Sequence, residues 1–160
     1  MESSTFRLAA NLVSALESKG LTCATAESCT GGGVGSAITS VAGSSAVFLG
    51  GVVSYSNDVK ADVLGVSRDS LARVGAVSSE VASQMATGAR RVIGSDLAVS
   101  LTGIAGPGGG SAEKPVGLVW FGLATSSGVS TKSRIFSGDR AAIRAAAVEH
   151  ALCLLLSAVE

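Results

Sequence analysis

The sequence contains few of the side chains that bind metals or form disulfides. It has one histidine, His150, and three cysteines, Cys23, Cys29 and Cys153, with no CxxC spacing. An odd number of cysteines without paired spacing argues against a disulfide framework and a zinc motif, and a single histidine leaves a metal short of ligands. We therefore expect no metal site.

The sequence also lacks an excess of either charge. Lys and Arg together number 12, and so do Asp and Glu. A chain without a basic field cannot neutralise many phosphates of a nucleic acid, although it can still bind a small anion. We expect a small-molecule ligand and no nucleic-acid partner.

Long apolar runs are missing as well. Glycine, serine or a charged residue interrupts each apolar segment before the roughly 18 residues that a membrane span needs. The amino-terminal segment carries acidic residues and is typical of an amphipathic helix over about residues 3 to 19 rather than a signal peptide. The predictions are a cytoplasmic protein and no membrane partner.

What the sequence does contain is a regular alternation of strand and helix patterns. With 160 residues, 47% of them hydrophobic, it fits one domain over residues 1–160. Buried strands are predicted in "LTCATA", "SAVFLGGVVSYS" and "SDLAVSLTGIAG", and "VGLVWFGLAT" and "VSTKSRIFS" flank a turn, which predicts an antiparallel hairpin. This order predicts an α/β domain with a mixed sheet, closed by a long helix capped near Asp139.

Three polar, glycine-bearing segments fall at the carboxyl ends of the predicted strands. They cover residues 27–33, 54–60 and 102–115. Ligands of open α/β sheets bind at this edge. The first segment, "ESCTGGG", lies between a strand and a helix, and a helix carrying Lys60 follows the second, capped by Asn57 or Asp58.

The third segment, "TGIAGPGGG" over residues 102–110, is typical of a loop that binds phosphate through backbone N–H groups. Thr102 and Lys114 are candidates to add a hydroxyl and a charge. The loop lacks the GK[ST] ending of an ATP-hydrolysing P-loop. The alternative is a mobile surface loop without a ligand.

A dinucleotide cofactor is poorly supported. Gly31, Gly33 and Ser36 imitate the GxGxxG fingerprint, but the third position is a serine. No acidic residue stands at the end of the next strand to bind a ribose. We therefore expect no cofactor and no hydride transfer.

The first segment offers two adjacent nucleophiles, Ser28 and Cys29, on a turn whose N–H groups could hold an oxyanion. Side chains of neighbouring residues on a turn diverge, so only one of them faces a pocket. A thiolate would need a partner such as histidine, and His150 lies within a predicted helix as a packed or surface residue. We favour Ser28 and leave Cys29 open.

Lysine is the alternative base, because burial can bring its pKa toward neutrality. Lys60 follows the end of the second strand and is the best placed lysine. Tyr55, the only tyrosine, could relay a proton or hold a ring of the ligand. The alternative for both is a surface role without function.

Five motifs in order resemble a known family. "AESCTGG", "GGVVSYSNDVKADVLGV", "GAVSSEVASQMATGARR", "TGIAGPGGGSAEKPVGLVW" and "SGDR" are similar to the carboxy-terminal domain of the competence-damage-inducible CinA proteins, also found alone as PncC-type amidases. The resemblance implies a three-layer α/β/α sandwich with a mixed, mostly parallel sheet. Full-length CinA proteins carry a further amino-terminal domain for which 160 residues leave no room, so we expect the stand-alone form.

The resemblance implies hydrolysis of nicotinamide mononucleotide to nicotinate mononucleotide and ammonia. In that reaction Ser28 would attack the carboxamide, Lys60 would take and return its proton, and Tyr55 would support the exchange. Ser45 is a second hydroxyl that could share or contest the role of Ser28. The candidate substrate-binding residues are Thr30, Gly31, Gly32 and Ser45 near the nucleophile, and Thr102, Gly103, Ala105, Gly106, Gly108, Gly109 and Arg140 around the phosphate.

Two alternatives remain at this point. One is a non-catalytic module that binds a pyridine nucleotide and associates with competence or DNA-damage proteins. The other is a phosphatase acting on the same nucleotide. Apolar helices are compatible with a homodimer, but no interface can be named from the sequence.

Overall fold

The computed structural model describes residues 2–160 as helices on both faces of one sheet. The helices are α1 (Ser4–Lys19), α2 (Gly33–Thr39), α3 (Asn57–Leu64), α4 (Arg68–Val74), α5 (Ser79–Ile93) and α6 (Arg140–Val159), with a 3₁₀ turn at Ser44–Ala46. The strands are β1 (Cys23–Glu27), β2 (Phe48–Val53), β3 (Leu97–Gly103), β4 (Leu118–Thr125) and β5 (Gly128–Ile135).

The five strands form one sheet in the order β2-β1-β3-β4-β5. β1 pairs in parallel with both β2 and β3, whereas β4 runs antiparallel to β3 and to β5. Four of the five strands therefore point the same way and β4 alone is reversed. The predicted mixed, mostly parallel sheet and the late hairpin are confirmed.

The sheet separates two apolar layers. On one face, α1, α2 and α6 pack on side chains that include Cys23, Val99 and Phe121. On the other, α3, α4 and α5 pack on Ala24, Ala26 and Ala98. Successive residues of a strand point to opposite faces, so Cys23 and Ala24 belong to different layers. The three-layer α/β/α architecture that the family resemblance implies is confirmed.

Local signals set the helix ends. Asp139 accepts the Ala142 N–H at 2.9 Å and caps α6 as predicted. The cap of α3 differs from the prediction: Ser56, not Asn57 or Asp58, accepts the Val59 N–H at 3.1 Å. Ser56 is extended and therefore aims its hydroxyl at the free N–H groups of the first turn.

A glycine contact fixes α3 against the second helical layer. A Cβ atom built on Gly88 of α5 would lie 1.9 Å from the Leu64 carbonyl oxygen at the end of α3. Only glycine permits this approach. The contact anchors the short helix that carries Lys60.

Helix α6 is long and apolar enough to qualify as a membrane span by length and composition. Its apolar side chains, however, belong to the core. Ile143, Ala147, Ala151, Leu152 and Leu155 are all buried, and α6 packs along α1. The composition of α6 is accounted for by packing between α1 and the sheet.

Candidate active site

The carboxyl ends of β1, β2 and β3 converge on one cavity of about 280 Å³. Ser28, directly after β1, donates its N–H to the Leu101 carbonyl at 3.0 Å, and Ser54, after β2, donates its N–H to the Glu27 carbonyl at 2.8 Å. These bonds extend the parallel ladders past the strand ends. The three predicted segments therefore meet at one place.

Ser28 and Lys60 are in direct contact. The Lys60 Nζ lies 3.0 Å from the Ser28 Oγ, and the lysine is only 1% exposed. Its ammonium also reaches the main-chain carbonyls of Ser54 at 2.8 Å and Tyr55 at 3.1 Å. No carboxylate pairs with it in residues 2–160.

Burial lowers the pKa of Lys60 from its ordinary value, and the nearby Cys29 opposes this shift. The direction follows from the cost of placing an ammonium ion away from water. A neutral amine has two N–H donors and one lone pair. If the two carbonyls take the donors, the lone pair faces the Ser28 hydroxyl, which is the arrangement of a general base and its nucleophile.

Cys29 also borders the cavity, but its thiol is not activated. Burial raises its pKa to about 11, against smaller opposing effects from a main-chain hydrogen bond and from Arg144 and Lys60, while Glu27 adds to the increase. At neutral pH the thiol is therefore protonated. Because the thiolate is the reactive form, this favours Ser28 over Cys29 as the nucleophile.

Glu27 holds the turn that follows Ser28. It is 1% exposed, and its Oε1 accepts the Thr30 hydroxyl at 2.6 Å and the Val34 N–H at 2.9 Å. Its Oε2 accepts the Gly35 N–H at 3.1 Å. The carboxylate thus ties the end of β1 to the start of α2, and Gly32 makes the connection with a φ of 101°, which favours glycine.

Three N–H groups of this turn stay available to a ligand. The Gly31 N–H donates to the Ser28 carbonyl and the Gly33 N–H to the Thr30 carbonyl, each at 3.1 Å. Within residues 2–160 the N–H groups of Cys29, Thr30 and Gly32 donate to no other residue. Free N–H groups next to a nucleophile are the usual donors of an oxyanion hole.

The glycine-rich loop forms the opposite wall. Gly103, Ala105, Gly106, Gly108 and Gly109, which are candidate substrate-binding residues of the sequence, line the cavity. For the last four of them, no acceptor of the N–H group lies in the described part of the chain. Such groups are suited to an anionic ligand.

Arg140 and Tyr55 stand at the mouth of the cavity. Arg140 donates to the Gly106 carbonyl at 2.8 Å and to the Tyr55 hydroxyl at 3.5 Å. Tyr55 is 64% exposed, and it meets Lys60 through its main-chain carbonyl, not its hydroxyl. The geometry therefore does not support a proton relay through the Tyr55 hydroxyl, and it leaves the ring free to contact a ligand.

Several candidate residues do not line the cavity. The Thr102 hydroxyl donates to the Ala76 carbonyl at 2.9 Å, Lys114 binds the Val74 carbonyl at 2.5 Å, and the Thr30 hydroxyl is bound to Glu27. Gly31 and Gly32 shape the turn without lining the cavity. Thr102 and Thr30 point into the protein, so neither hydroxyl is directed at a ligand.

The assignment of Ser45 to this site is wrong. Ser45 lies in the 3₁₀ turn before β2, whereas the cavity lies after β2. The six residues of that strand separate them by about 20 Å. Because Ser45 precedes β2, it lies at the amino end of that strand, and the cavity lies at the carboxyl ends of the strands.

Sequence reasoning did not find Glu27, Ile104 or Arg144. Ile104 lines the cavity, and Arg144 donates to the carbonyls of Cys29 at 3.1 Å and Thr30 at 3.2 Å. Arg144 follows Arg140 by one helical turn, so helical periodicity placed it on the same face. An acidic residue in a buried strand was a signal for Glu27.

His150 does not line this cavity and is a packed residue, as predicted. Its ring packs on Phe121 with centroids 4.7 Å apart. Burial, with Arg134 and Lys132 nearby, lowers its pKa. No group of three metal-binding side chains occurs in residues 2–160.

The family model described as CinA C-terminal domain matches residues 5–159. Nicotinamide-nucleotide amidohydrolase PncC of Escherichia coli K12 is 51% identical over 152 residues, covering 94% of this chain and 92% of that protein. A CinA-like protein of a Synechococcus strain is 54% identical over 151 residues, but these cover only 36% of its length.

Solved structures agree with these matches. The crystal structure of the competence/damage inducible protein CihA from Agrobacterium tumefaciens has a TM-score of 0.96 and 44% identity, covering 100% of this chain and 98% of that one. A CinA superfamily protein from Klebsiella pneumoniae has a TM-score of 0.94 and 36% identity, covering 98% of each chain. With the family match extending over nearly every residue, this chain belongs to the CinA C-terminal domain family.

Proposed function

We propose that this protein is an amidohydrolase that converts nicotinamide mononucleotide and water to nicotinate mononucleotide and ammonia. The observation that carries the proposal is the buried contact between the Lys60 Nζ and the Ser28 Oγ, at 3.0 Å. A lysine without a carboxylate partner, held by two carbonyls against a serine, suits proton transfer from that serine. The activity named for the Escherichia coli relative supports the choice of substrate.

In the first half of the reaction, the Ser28 Oγ attacks the carboxamide carbon while its proton passes to the Lys60 Nζ. The carbonyl oxygen becomes an oxyanion, for which the N–H groups of Cys29 and Thr30 are the proposed donors. Lys60 then gives the proton to the amide nitrogen, the C–N bond breaks, and ammonia leaves. Ser28 is now esterified to the nicotinoyl group.

Water completes the cycle. It attacks the ester carbon and passes a proton to Lys60, and the second tetrahedral intermediate returns electrons to the carbonyl. The C–O bond to Ser28 breaks, and Lys60 returns the proton to the serine oxygen. Besides the substrate and this water, the scheme uses only groups of the chain.

The opposite wall suits the rest of the substrate. The N–H groups of Ala105, Gly106, Gly108 and Gly109, with the Arg140 guanidinium, are the proposed ligands of the 5'-phosphate. The pyridinium ring of the substrate is a cation, and the exposed Tyr55 ring is the proposed surface for it. A cytoplasmic location and a homodimer stay predictions.

Ammonia release from nicotinamide mononucleotide is the test. The wild-type protein is expected to release ammonia in the presence of a chelator, and Ser28→Ala is expected to lose activity by about 10⁴-fold or more while keeping its fold. Ser45→Ala is the matched control, because Ser45 lies at the other end of β2, and it should keep full activity. Saturable nucleotide binding without ammonia would indicate the non-catalytic module instead, and free phosphate would indicate a phosphatase.

A further inference from the structure

Helix α6 places two arginines, one turn apart, over the two walls of the cavity. Arg140 donates to the Gly106 carbonyl of the glycine-rich loop at 2.8 Å. Arg144 reaches the nucleophile turn, with its Nε 3.1 Å from the Cys29 oxygen and its Nη2 3.2 Å from the Thr30 oxygen. The planar fork of a guanidinium suits two successive carbonyls.

These two carbonyls differ in what else holds them. The Thr30 oxygen also accepts the Gly33 N–H at 3.1 Å. The Cys29 oxygen has Arg144 as its only donor among residues 2–160. The orientation of the Cys29–Thr30 peptide therefore depends on Arg144 in a way that the next peptide does not.

Because the Cys29 carbonyl and the Thr30 N–H belong to one peptide bond, the orientation of the Thr30 N–H also depends on Arg144. In a trans peptide the C=O and the following N–H point in opposite directions. When the Cys29 carbonyl faces Arg144, the Thr30 N–H must face away from it. That N–H has no acceptor within residues 2–160, and it belongs to the second residue after Ser28.

Arg144 has no other evident role. It forms none of the ion pairs present in residues 2–160, and it lies on the exposed side of α6, next to the exposed Ala145. Removing its side chain leaves the apolar layer under α6 intact. A loss of activity in an Arg144 variant is therefore separable from unfolding.

We propose that Arg144 is a positioning residue of the reaction: it fixes the Cys29–Thr30 peptide so that the Thr30 N–H can receive the oxyanion. The inference rests on the proposed amidase function. It assigns Arg144 no contact with the substrate. An effect on kcat is expected, since the bound substrate carries no oxyanion before the attack, and little effect on KM.

The kinetic test compares Arg144→Met with Arg90→Met. Arg90 is a matched control because it also donates to a carbonyl, that of Asp96 at 2.9 Å, at the opposite end of the sheet. We expect Arg144→Met to lower kcat by about 10- to 100-fold, short of the full loss of an oxyanion donor. Arg90→Met should retain wild-type kcat.

Two further variants separate positioning from a structural effect. Arg144→Lys replaces the planar guanidinium with a compact ammonium group, and its kcat is expected to lie between those of Arg144→Met and the wild type. Arg144→Ala should gain activity when guanidinium is added below denaturing concentrations, whereas Ser28→Ala should not. A wild-type kcat in Arg144→Met, or a change confined to KM, would overturn the proposal.

A measurement without turnover distinguishes failure of this inference from failure of the amidase proposal. The backbone amide signals of Thr30 and Val34 are followed by NMR in wild-type protein and in Arg144→Met. We expect the Thr30 amide to shift or broaden in the variant and the Val34 amide, held by Glu27 at 2.9 Å, to stay unchanged. An unchanged Thr30 amide would refute the positioning role even if the wild type releases no ammonia.

Discussion

The two glycine-bearing walls of the cavity are held in different ways. After β1, the turn from Ser28 to Gly33 is fixed by the Glu27 carboxylate, by Arg144 and by the ladder bond to Leu101. After β3, Arg140 is the only side chain in the described residues that binds the main chain of Gly106 to Gly109. The first wall suits a reaction that needs fixed donors, and the second suits a phosphate that many N–H groups can share.

After Ser28→Ala, the largest expected effect belongs to Lys60, which contacts Ser28 at the start of the fixed wall. Lys60→Met should lower kcat by about 10²- to 10⁴-fold, because it removes the base while retaining an unbranched apolar stem. Nucleotide binding should persist, since the glycine-rich wall is unchanged. Steady-state kinetics and calorimetric titration measure the two quantities, with Lys132→Met on the exposed β5 as the control. A Lys60→Met protein that turns over normally would exclude Lys60 as the base.

The pH dependence of activity tests the assignment of Lys60 as the base. Burial lowers the pKa of Lys60 below its ordinary value of 10.5, and only the neutral amine can accept the Ser28 proton. Activity should therefore fall about tenfold per pH unit below the shifted pKa and level off above it, before pH 10.5. The kcat/KM profile of the free enzyme reports this pKa. A plateau that begins only above pH 10.5 would contradict a desolvated lysine base.

A pair of alanine substitutions compares the walls directly. Gly32→Ala places a Cβ at a φ of 101° and should destabilise the protein by about 1 to 2 kcal/mol and lower kcat. Gly108→Ala meets no atom within 4 Å, so unfolding free energy should change by less than about 0.5 kcal/mol.

Gly108→Ala should instead raise KM by about fivefold, since a Cβ atom at this position obstructs one of the N–H groups proposed to bind the phosphate. Denaturant unfolding and initial rates supply both comparisons. Similar profiles for the two variants would show that the walls do not differ as the hydrogen bonds suggest.

The smallest expected effect concerns Cys29. Its thiol pKa of about 11 keeps it protonated at neutral pH, so Cys29→Ala should retain kcat and lose about 1 kcal/mol of stability at most. Modification by iodoacetamide near pH 7.5 should be slow for the same reason. A severe loss of kcat in Cys29→Ala, with Ser28→Ala still active, would move the nucleophile to the thiol.

Sequence reasoning located the strand ends, and with them Ser28 and Lys60, because apolar patterns and glycine breaks are local signals. The direction of a side chain is not local. Thr30 and Thr102 face the interior because their hydroxyls donate hydrogen bonds there, to the Glu27 carboxylate and to the Ala76 carbonyl. Ala76 lies 26 residues from Thr102 in sequence, and although Glu27 stands only three residues before Thr30, the pattern does not show that its carboxylate turns inward.

The position of Ser45 was missed for a related reason. Ser45 carries a hydroxyl close to a predicted strand, but it precedes β2, whereas the cavity lies after β2. Arg144 was overlooked because its partners are main-chain oxygens of Cys29 and Thr30, which lie 115 and 114 residues away in sequence. Such contacts depend on the closed three-layer fold.

Helix α6 does two jobs: its apolar side closes the core, and its first turns hold Gly106, Cys29 and Thr30. Fraying of those turns would release both walls while leaving the sheet paired. Local opening of this kind is cheaper than global unfolding. Catalytic activity should therefore be lost at a lower denaturant concentration than the circular dichroism signal of the sheet. Hydrogen exchange of the main-chain amides near residues 140–144 would identify this segment as the first cooperative unit to open.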